Sequence, residues 1–225
     1  MTYIVGHRGA AGLEPENTLR GFQKALDIGV DYVECDVHLS RDGYPVVIHD
    51  AVLDRTTFGK GRVGDYTLEE LKEFDAGKGE SIPALEEVMD LVKGKAGLII
   101  EIKQPQAKDA VVKRLKDKGL EEEVLLASFD ARVLKGIPAE IGRALLSYRN
   151  PLLSFYLAGE ISAAFLGLKY TLVNQKVIDK AKEEGIKLLA WTVNEEKDIS
   201  KMIGLNVDAI ASDYPDRVKT IGLGC

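Results

Sequence analysis

Eight short apolar, β-branched runs alternate with amphipathic helical segments, and that alternation leaves few folds open to this chain. The runs are Tyr3–His7, Asp31–Val37, Gly97–Lys103, Val124–Phe129, Arg143–Tyr148, Lys169–Asn174, Lys187–Asn194 and Asp208–Asp213. Strands that are apolar nearly throughout, with helices between them, indicate a parallel sheet covered on both faces. Eight such units in 225 residues predict a closed (β/α)8 TIM barrel near the short end of its size range. The helical stripes agree. Leu19, Phe22 and Leu26 recur at helical spacing behind Asn17, the expected N-cap. Leu85, Val88, Met89 and Val92 lie between Pro83 and Gly94, and Val177, Ile178 and Ala181 lie between Asn174 and Gly185. Ile199, Met202 and Ile203 form a further stripe after Asn194, and all of these are read as core packing.

The alternation fails between Val37 and about Glu80. Arg41-Asp42-Gly43 is a hairpin-type turn, followed by a ninth strand-like run, Pro45 to Ile48. Thr67-Leu68-Glu69-Glu70 is a capping-box pattern that opens a short helix through Leu71 and Phe74. The expectation is one catalytic barrel over residues 1–225, with an inserted segment at about 38–80 lying over the C-terminal mouth, where βα loops build active sites.

Composition excludes several classes of function. Hydrophobic residues make up 45% and charged residues 29%, a globular balance rather than a disordered one. No apolar run reaches the roughly 18 residues of a transmembrane helix, and the N-terminus lacks the pattern of a secretory signal. The net charge of −6, with no basic stripe, argues against nucleic acid as a partner. Two cysteines, Cys35 and Cys225, give no disulfide framework and fit a reducing cytoplasm.

Strand geometry then selects chemistry. Side chains two apart in a strand share a face, so Glu34 and Asp36 point together near the end of the second strand and Cys35 points away. Glu101 and Lys103 repeat the pattern on the next barrel strand. Carboxylates converging at one mouth repel unless a cation joins them, and an all-oxygen set suits a hard divalent ion such as Mg2+, Mn2+ or Ca2+ better than Zn2+. His7 ends the first strand and His49 closes the inserted hairpin; these two of the three histidines are candidates for general acid and base. His38, the third, continues the Glu34 and Asp36 face and is expected to line the hairpin. Arg8 and Lys103 supply the positive charge that phosphate oxygens need. Together these residue types predict phosphoester chemistry.

The motifs also resemble a known family. His7-Arg8-Gly9, Glu16-Asn17-Thr18, Glu34-Cys35-Asp36-Val37, Val46-Val47-Ile48-His49-Asp50, Glu101-Ile102-Lys103, Trp191-Thr192-Val193-Asn194 and Ser212-Asp213-Tyr214-Pro215-Asp216 are similar, in order and spacing, to the glycerophosphodiester phosphodiesterase family. The resemblance implies hydrolysis of small glycerophosphodiesters to glycerol 3-phosphate and an alcohol. It implies Glu34, Asp36 and Glu101 as ligands of the divalent metal, His7 and His49 as the acid/base pair, and Arg8 and Lys103 as phosphate contacts. Glu16 would support the site and Trp191 would form part of the pocket wall. It further implies attack by a neighbouring substrate hydroxyl through a cyclic phosphate. His49, on the insertion that meets the variable alcohol, is expected to be the acid. Two other readings use the same frame: a lysophospholipase D-like barrel acting on lysophospholipids, and a non-catalytic binding module. The polar run from Gly59 to Asp65 favours small head groups, and the full set of acids and histidines argues against a decayed site.

Overall fold

The computed structural model describes residues 2–223, which leaves Cys225 outside the described residues. Eight parallel strands close on themselves: Tyr3–Gly6 (β1), Tyr32–Leu39 (β2), Gly97–Ile102 (β4), Val124–Ser128 (β5), Gly142–Ser147 (β6), Phe165–Lys169 (β7), Lys187–Trp191 (β8) and Ala209–Ser212 (β9). A further strand, Pro45–Val47 (β3), runs antiparallel beside β2, with Val37 opposite Val47. Closure comes from β1 pairing with both β2 and β9. The protein is a TIM barrel, as the alternation predicts.

Side-chain alternation along the strands divides the apolar residues into two layers. Val5, Ile99, Ala127, Ala144, Phe165, Leu189, Ala209 and Ala211 point inward and fill the barrel. Their neighbours Val33, Cys35, Ile100, Leu126, Leu166 and Leu188 point outward and pack under the helices. The helices that cover them include Leu19–Ile28 (α1), Leu85–Val92 (α3), Gln175–Glu184 (α7) and Glu196–Gly204 (α8). Their predicted stripes are the buried faces: Val88 and Met89 on α3, Ile178 and Ala181 on α7, and Ile199 and Met202 on α8.

Two local expectations are corrected. The sixth barrel strand is Phe165–Lys169 rather than Lys169–Asn174; Tyr170–Leu172 forms a 3-10 turn, and the Asn174 side chain caps α7 at the Val177 N–H. The β-forming residues Tyr170, Thr171 and Val173 mimic a strand, whereas the real one follows Ala163 and Ala164 and carries Gly167, all weak strand formers. The N-cap of α1 is Thr18, whose hydroxyl accepts from the Gly21 N–H, and not Asn17. Asn17 is one residue too early and has other work at the mouth.

The segment between β3 and α3 has its own small core of Val46, Ile48, Leu53, Val63, Leu71 and Ile82. The capping box of Thr67 and Glu70 opens Leu68–Lys72 (α2), which ends before Phe74 and not beyond it. Backbone bonds from Ile48 N–H to the Asp36 carbonyl (3.0 Å) and from Val47 N–H to the Pro83 carbonyl (2.8 Å) fix where this segment leaves β2.

Cys35 is fully buried in the outer layer, and burial pushes its thiol well above the ordinary range. Cys35→Ala is therefore expected to keep full turnover and to lose about 1 kcal/mol of stability through the small void it leaves. A urea titration and a thiol-labelling time course check this; rapid labelling of the native protein with loss of activity is the contrary result.

Candidate active site

Parallel pairing of β2 and β4 sets Asp36 directly beside Glu101, and the two-residue repeat puts Glu34 on the same inward face. All three carboxylates are buried, and each offers one oxygen within 4.8 Å of the others. This much like charge in a low-dielectric site carries a large cost. Burial, followed by the charge of Asp36, pushes Glu34 up to about 7 and Glu101 up to about 6. Asp36 goes the other way. Burial opposes its ionisation, but Lys103 and Arg8 outweigh it and hold Asp36 below the usual carboxylate range. Lys103 Nζ lies 2.8 Å from Glu101 and 3.3 Å from Asp36.

The loop after β1 is bent to serve this cluster. Arg8 has φ 50° and Asn17 has φ 55°, left-handed values that few residues other than glycine adopt. The bend aims the Arg8 backbone N–H at Glu34 Oε2 (2.8 Å). Asn17 donates from its side-chain amide to Asp36 Oδ2 (2.8 Å) and accepts from the Asp36 N–H (3.3 Å). Gly9, at φ 85°, lets the loop lie against α1; a Cβ there would meet the Gly21 backbone at 2.6 Å. The Arg8 guanidinium donates to Glu16 (2.9 Å). Its Nε sits 3.3 Å from Asp36, off the hydrogen-bond line, and is a buried donor without a partner among the described residues.

His7 and His49 each present a carboxylate-held imidazole. His7 Nδ1 donates to Asp213 Oδ1 (2.6 Å), while Asn194 donates to Asp213 Oδ2 (2.6 Å). His49 Nδ1 donates to Asp50 Oδ1 (2.5 Å). His38 Nε2 donates to the His49 carbonyl (3.0 Å), so it braces the hairpin end and takes no direct part in the cluster. The two histidines shift in opposite directions. For His7, burial lowers the pKa, but the bond to Asp213 and the charge of Glu34 outweigh it and the result is upward. For His49, burial dominates, Asp36 and Asp50 compensate in part, and the result is downward. Asp50 has less to give because Arg55 grips its other oxygen at 2.6 Å, which holds Asp50 down to about 2.

Beside these groups lies a cavity of about 570 Å3, open to solvent. His7, Arg8, Glu34, His49, Glu101 and Lys103 line its polar side, and Phe129, Leu146, Leu189 and Trp191 its apolar side. Trp191 is thus on the cavity wall, with Phe129 packed edge-on at 5.3 Å. Trp191 Nε1 is a second buried donor without a partner among the described residues. Glu16 stands one step back, holding Arg8 and Arg55. Of the candidate site residues, His7, Arg8, Glu34, His49, Glu101, Lys103 and Trp191 line the cavity, and Asp36 and Glu16 contact Arg8. Sequence reasoning missed Asp213, Asn194, Asp50, Asn17 and Arg55 as parts of the site. Asp213 and Asn194 sit in quoted motifs and Asp50 directly follows His49, but a single chain gives no sign of which carboxylate faces which imidazole.

The donor set fits a divalent cation. It is three carboxylates, hard and all-oxygen, two of them with pKa raised to about 7 and about 6 by burial and by the charge of Asp36.

The comparisons with known proteins agree. The model of the glycerophosphoryl diester phosphodiesterase family matches residues 7–217. The glycerophosphodiester phosphodiesterase of Caldanaerobacter subterraneus subsp. tengcongensis is 36% identical over 231 residues, spanning 96% of this chain and 95% of that protein. A phosphodiesterase of Oleispira antarctica, solved in complex with the product sn-glycerol-3-phosphate, aligns with a TM-score of 0.90 at 30% identity, over 98% of this chain and 96% of that one. The glycerophosphodiester phosphodiesterase of Agrobacterium tumefaciens aligns with a TM-score of 0.86 at 29% identity, over 98% of this chain and all of that one (100%). The chain belongs to the glycerophosphoryl diester phosphodiesterase family and is an enzyme of that class, a phosphoric diester hydrolase.

Proposed function

We propose that this chain hydrolyses small glycerophosphodiesters to glycerol 3-phosphate and an alcohol in the cavity at the barrel mouth. The observation that carries the reading is the convergence there of three buried carboxylates, the cationic side chains of Arg8 and Lys103, and two carboxylate-held histidines. The bound product named for the Oleispira antarctica relative supports the same product here.

Glu34, Asp36 and Glu101 would hold the divalent cation, which supplies Lewis-acid neutralisation of the phosphoryl charge when bound. Arg8 and Lys103 line the cavity and neutralise the remaining phosphate charge. Arg8 Nε, buried and unpaired, is a donor that a phosphate oxygen would satisfy. The apolar wall of Trp191, Phe129 and Leu146 shields the carbon chain of glycerol from water, and Trp191 Nε1 is available to one of its oxygens.

Breaking the diester needs a base for the attacking hydroxyl and an acid for the departing alkoxide. Both histidines give Nδ1 to a carboxylate, which leaves Nε2 for the substrate. Asp213 shares its second oxygen with a neutral amide and keeps its charge for His7, so His7 is the stronger proton acceptor. Asp50 is neutralised by Arg55, so His49, with its lowered pKa, is the stronger proton donor. These differences support His7 as base and His49 as acid.

The cation has a test independent of turnover. With their pKa values raised on folding, Glu34 and Glu101 stabilise the metal-free fold at low pH, and that contribution is lost as pH rises through about 6 to 7. Added Mg2+, Mn2+ or Ca2+ should therefore raise the melting temperature more at pH 8 than at pH 5, with about 2.7 kcal/mol of stabilisation at 100 times Kd. Glu101→Gln should remove that gain and cost about 10²–10³-fold in kcat. Full activity of Glu101→Gln, or of the wild type in excess EDTA, would overturn the metal assignment.

The histidines are tested by the leaving group. Turnover of glycerophosphocholine should be bell-shaped in pH, since His7 must be neutral and His49 protonated. His49→Ala should lose about 10²–10⁴-fold on glycerophosphocholine but far less on a p-nitrophenyl diester, whose leaving group needs no proton. His7→Ala should lose heavily on both. Equal losses for His49→Ala on the two substrates would refute its role as acid, and the reverse pattern would exchange the two roles.

A further inference from the structure

Arg55 lies in the segment that follows β3 and is not in contact with the cavity, yet its three side-chain bonds link the two halves of the polar site. Nε donates to Asp50 Oδ2 at 2.6 Å, and the two terminal nitrogens donate to the two oxygens of Glu16 at 2.7 and 2.8 Å. Asp50 holds His49, and Glu16 holds Arg8. One unbroken row of alternating charge thus runs from His49 through Asp50, Arg55, Glu16 and Arg8 to Asp36. Arg55 is the member that crosses from the inserted segment to the loop after β1.

Two features argue that this link serves function rather than stability. The Arg55 side chain is 46% exposed, and ion pairs at that level of exposure contribute little to folding. The segment that bears Arg55 already has its own apolar core and its own backbone bonds to β2 and Pro83. The planar fork of arginine is also the side chain that can hold two carboxylates at fixed angles, which a lysine cannot do.

We infer that Arg55 is a positioning residue that sets His49 against the Arg8 phosphate clamp by locking Asp50 to Glu16. This rests on the reading of His49 as a proton-transfer group. The two ends depend on Arg55 unequally. Glu16 keeps its bond to Arg8 without it, and Arg8 keeps Asp36. Asp50 is left with His49 alone, so the imidazole loses its fixed bearing. The loss on removing Arg55 therefore falls on kcat through His49, with a small change in KM.

A double-mutant cycle tests the coupling on the full chain with divalent cation present. Arg55→Lys keeps the charge and loses the fork. It should lower kcat on glycerophosphocholine about 10- to 10²-fold, with melting within a few degrees of wild type. In a His49→Ala chain the same substitution should cost less than about 2-fold, because the group it positions is gone. Asp50→Asn provides a second arm and should likewise add little to Arg55→Lys. Losses that multiply across the Arg55 and His49 pair would overturn the inference while leaving His49 as a catalytic group. Full activity of His49→Ala by itself would instead remove the reading on which it rests, and the inference with it. A fall in kcat that tracks a large loss of melting temperature would assign Arg55 to folding and overturn the inference as well.

Discussion

Parallel strand pairing brings Asp36 and Glu101 side by side, with Glu34 one inward step below, and most of the polar structure at the mouth follows from that. Three carboxylates within 4.8 Å of one another in a buried site cannot all ionise without compensation. The protein compensates from three directions. Lys103 comes from the end of the strand that carries Glu101, Arg8 and its backbone N–H come from the loop after β1, and Asn17 gives Asp36 an amide. These partners neutralise Asp36 and leave Glu34 and Glu101 with raised pKa values. The result is a site that keeps a deficit of positive charge. Such a deficit is unfavourable to the empty fold and favourable to a bound cation, so folding and ligand binding draw on the same interactions.

The backbone conformations at the mouth have the same origin. Arg8 and Asn17 adopt left-handed φ values that cost free energy in isolation. Both are held by groups of the acid cluster: Arg8 by Glu34, and Asn17 by Asp36 and by the Arg8 carbonyl. The unfavourable torsions and the unfavourable charges offset each other, since each supplies the partner that the other lacks. Replacing Asn17 by alanine removes both of its side-chain bonds with Asp36, and replacing Arg8 keeps the backbone bond to Glu34 but removes the guanidinium charge beside Asp36, so each change leaves a buried carboxylate less compensated against its like-charged neighbours.

How much of this was legible in the sequence follows the range of each signal. Period-two alternation is local, so Glu34 and Asp36 could be placed on one face with Cys35 behind them, and Glu101 with Lys103 likewise. Turn and cap signals are local too, which is why the hairpin at Asp42-Gly43 and the helix behind Thr67 were readable. The sixth barrel strand is not legible locally, because Tyr170, Thr171 and Val173 carry the stronger local propensity, whereas Phe165–Lys169 is held as a strand by its neighbours on both sides. Asp213 reaches His7 from 206 residues away, through the pairing of β9 with β1, and no local pattern encodes that contact. Arg55 is marked by no local pattern in the sequence. Its importance appears only when the inserted segment is seen to lie against Glu16, 39 residues earlier.

The cavity itself comes from what the upper inward positions of the barrel lack. Lower down, Val5, Ile99, Phe165 and Leu189 pack together in the apolar interior of the barrel. Nearer the mouth the inward residues of three strands are small: Ala127 on β5, Gly167 on β7 and Ala211 on β9. A Cβ on Gly167 would meet Leu146 at 2.5 Å and the Trp191 ring at 3.4 Å, so even a methyl group there would press the wall inward. Polar side chains from β2 and β4 border this apolar hollow, with Ala127 directly beside Glu101, and close packing elsewhere keeps both sides in place. A charged phosphate and a short carbon chain have opposite solvation needs. A barrel whose acidic strands share one mouth with small-residue strands meets both within one opening, with the two histidines on its polar side.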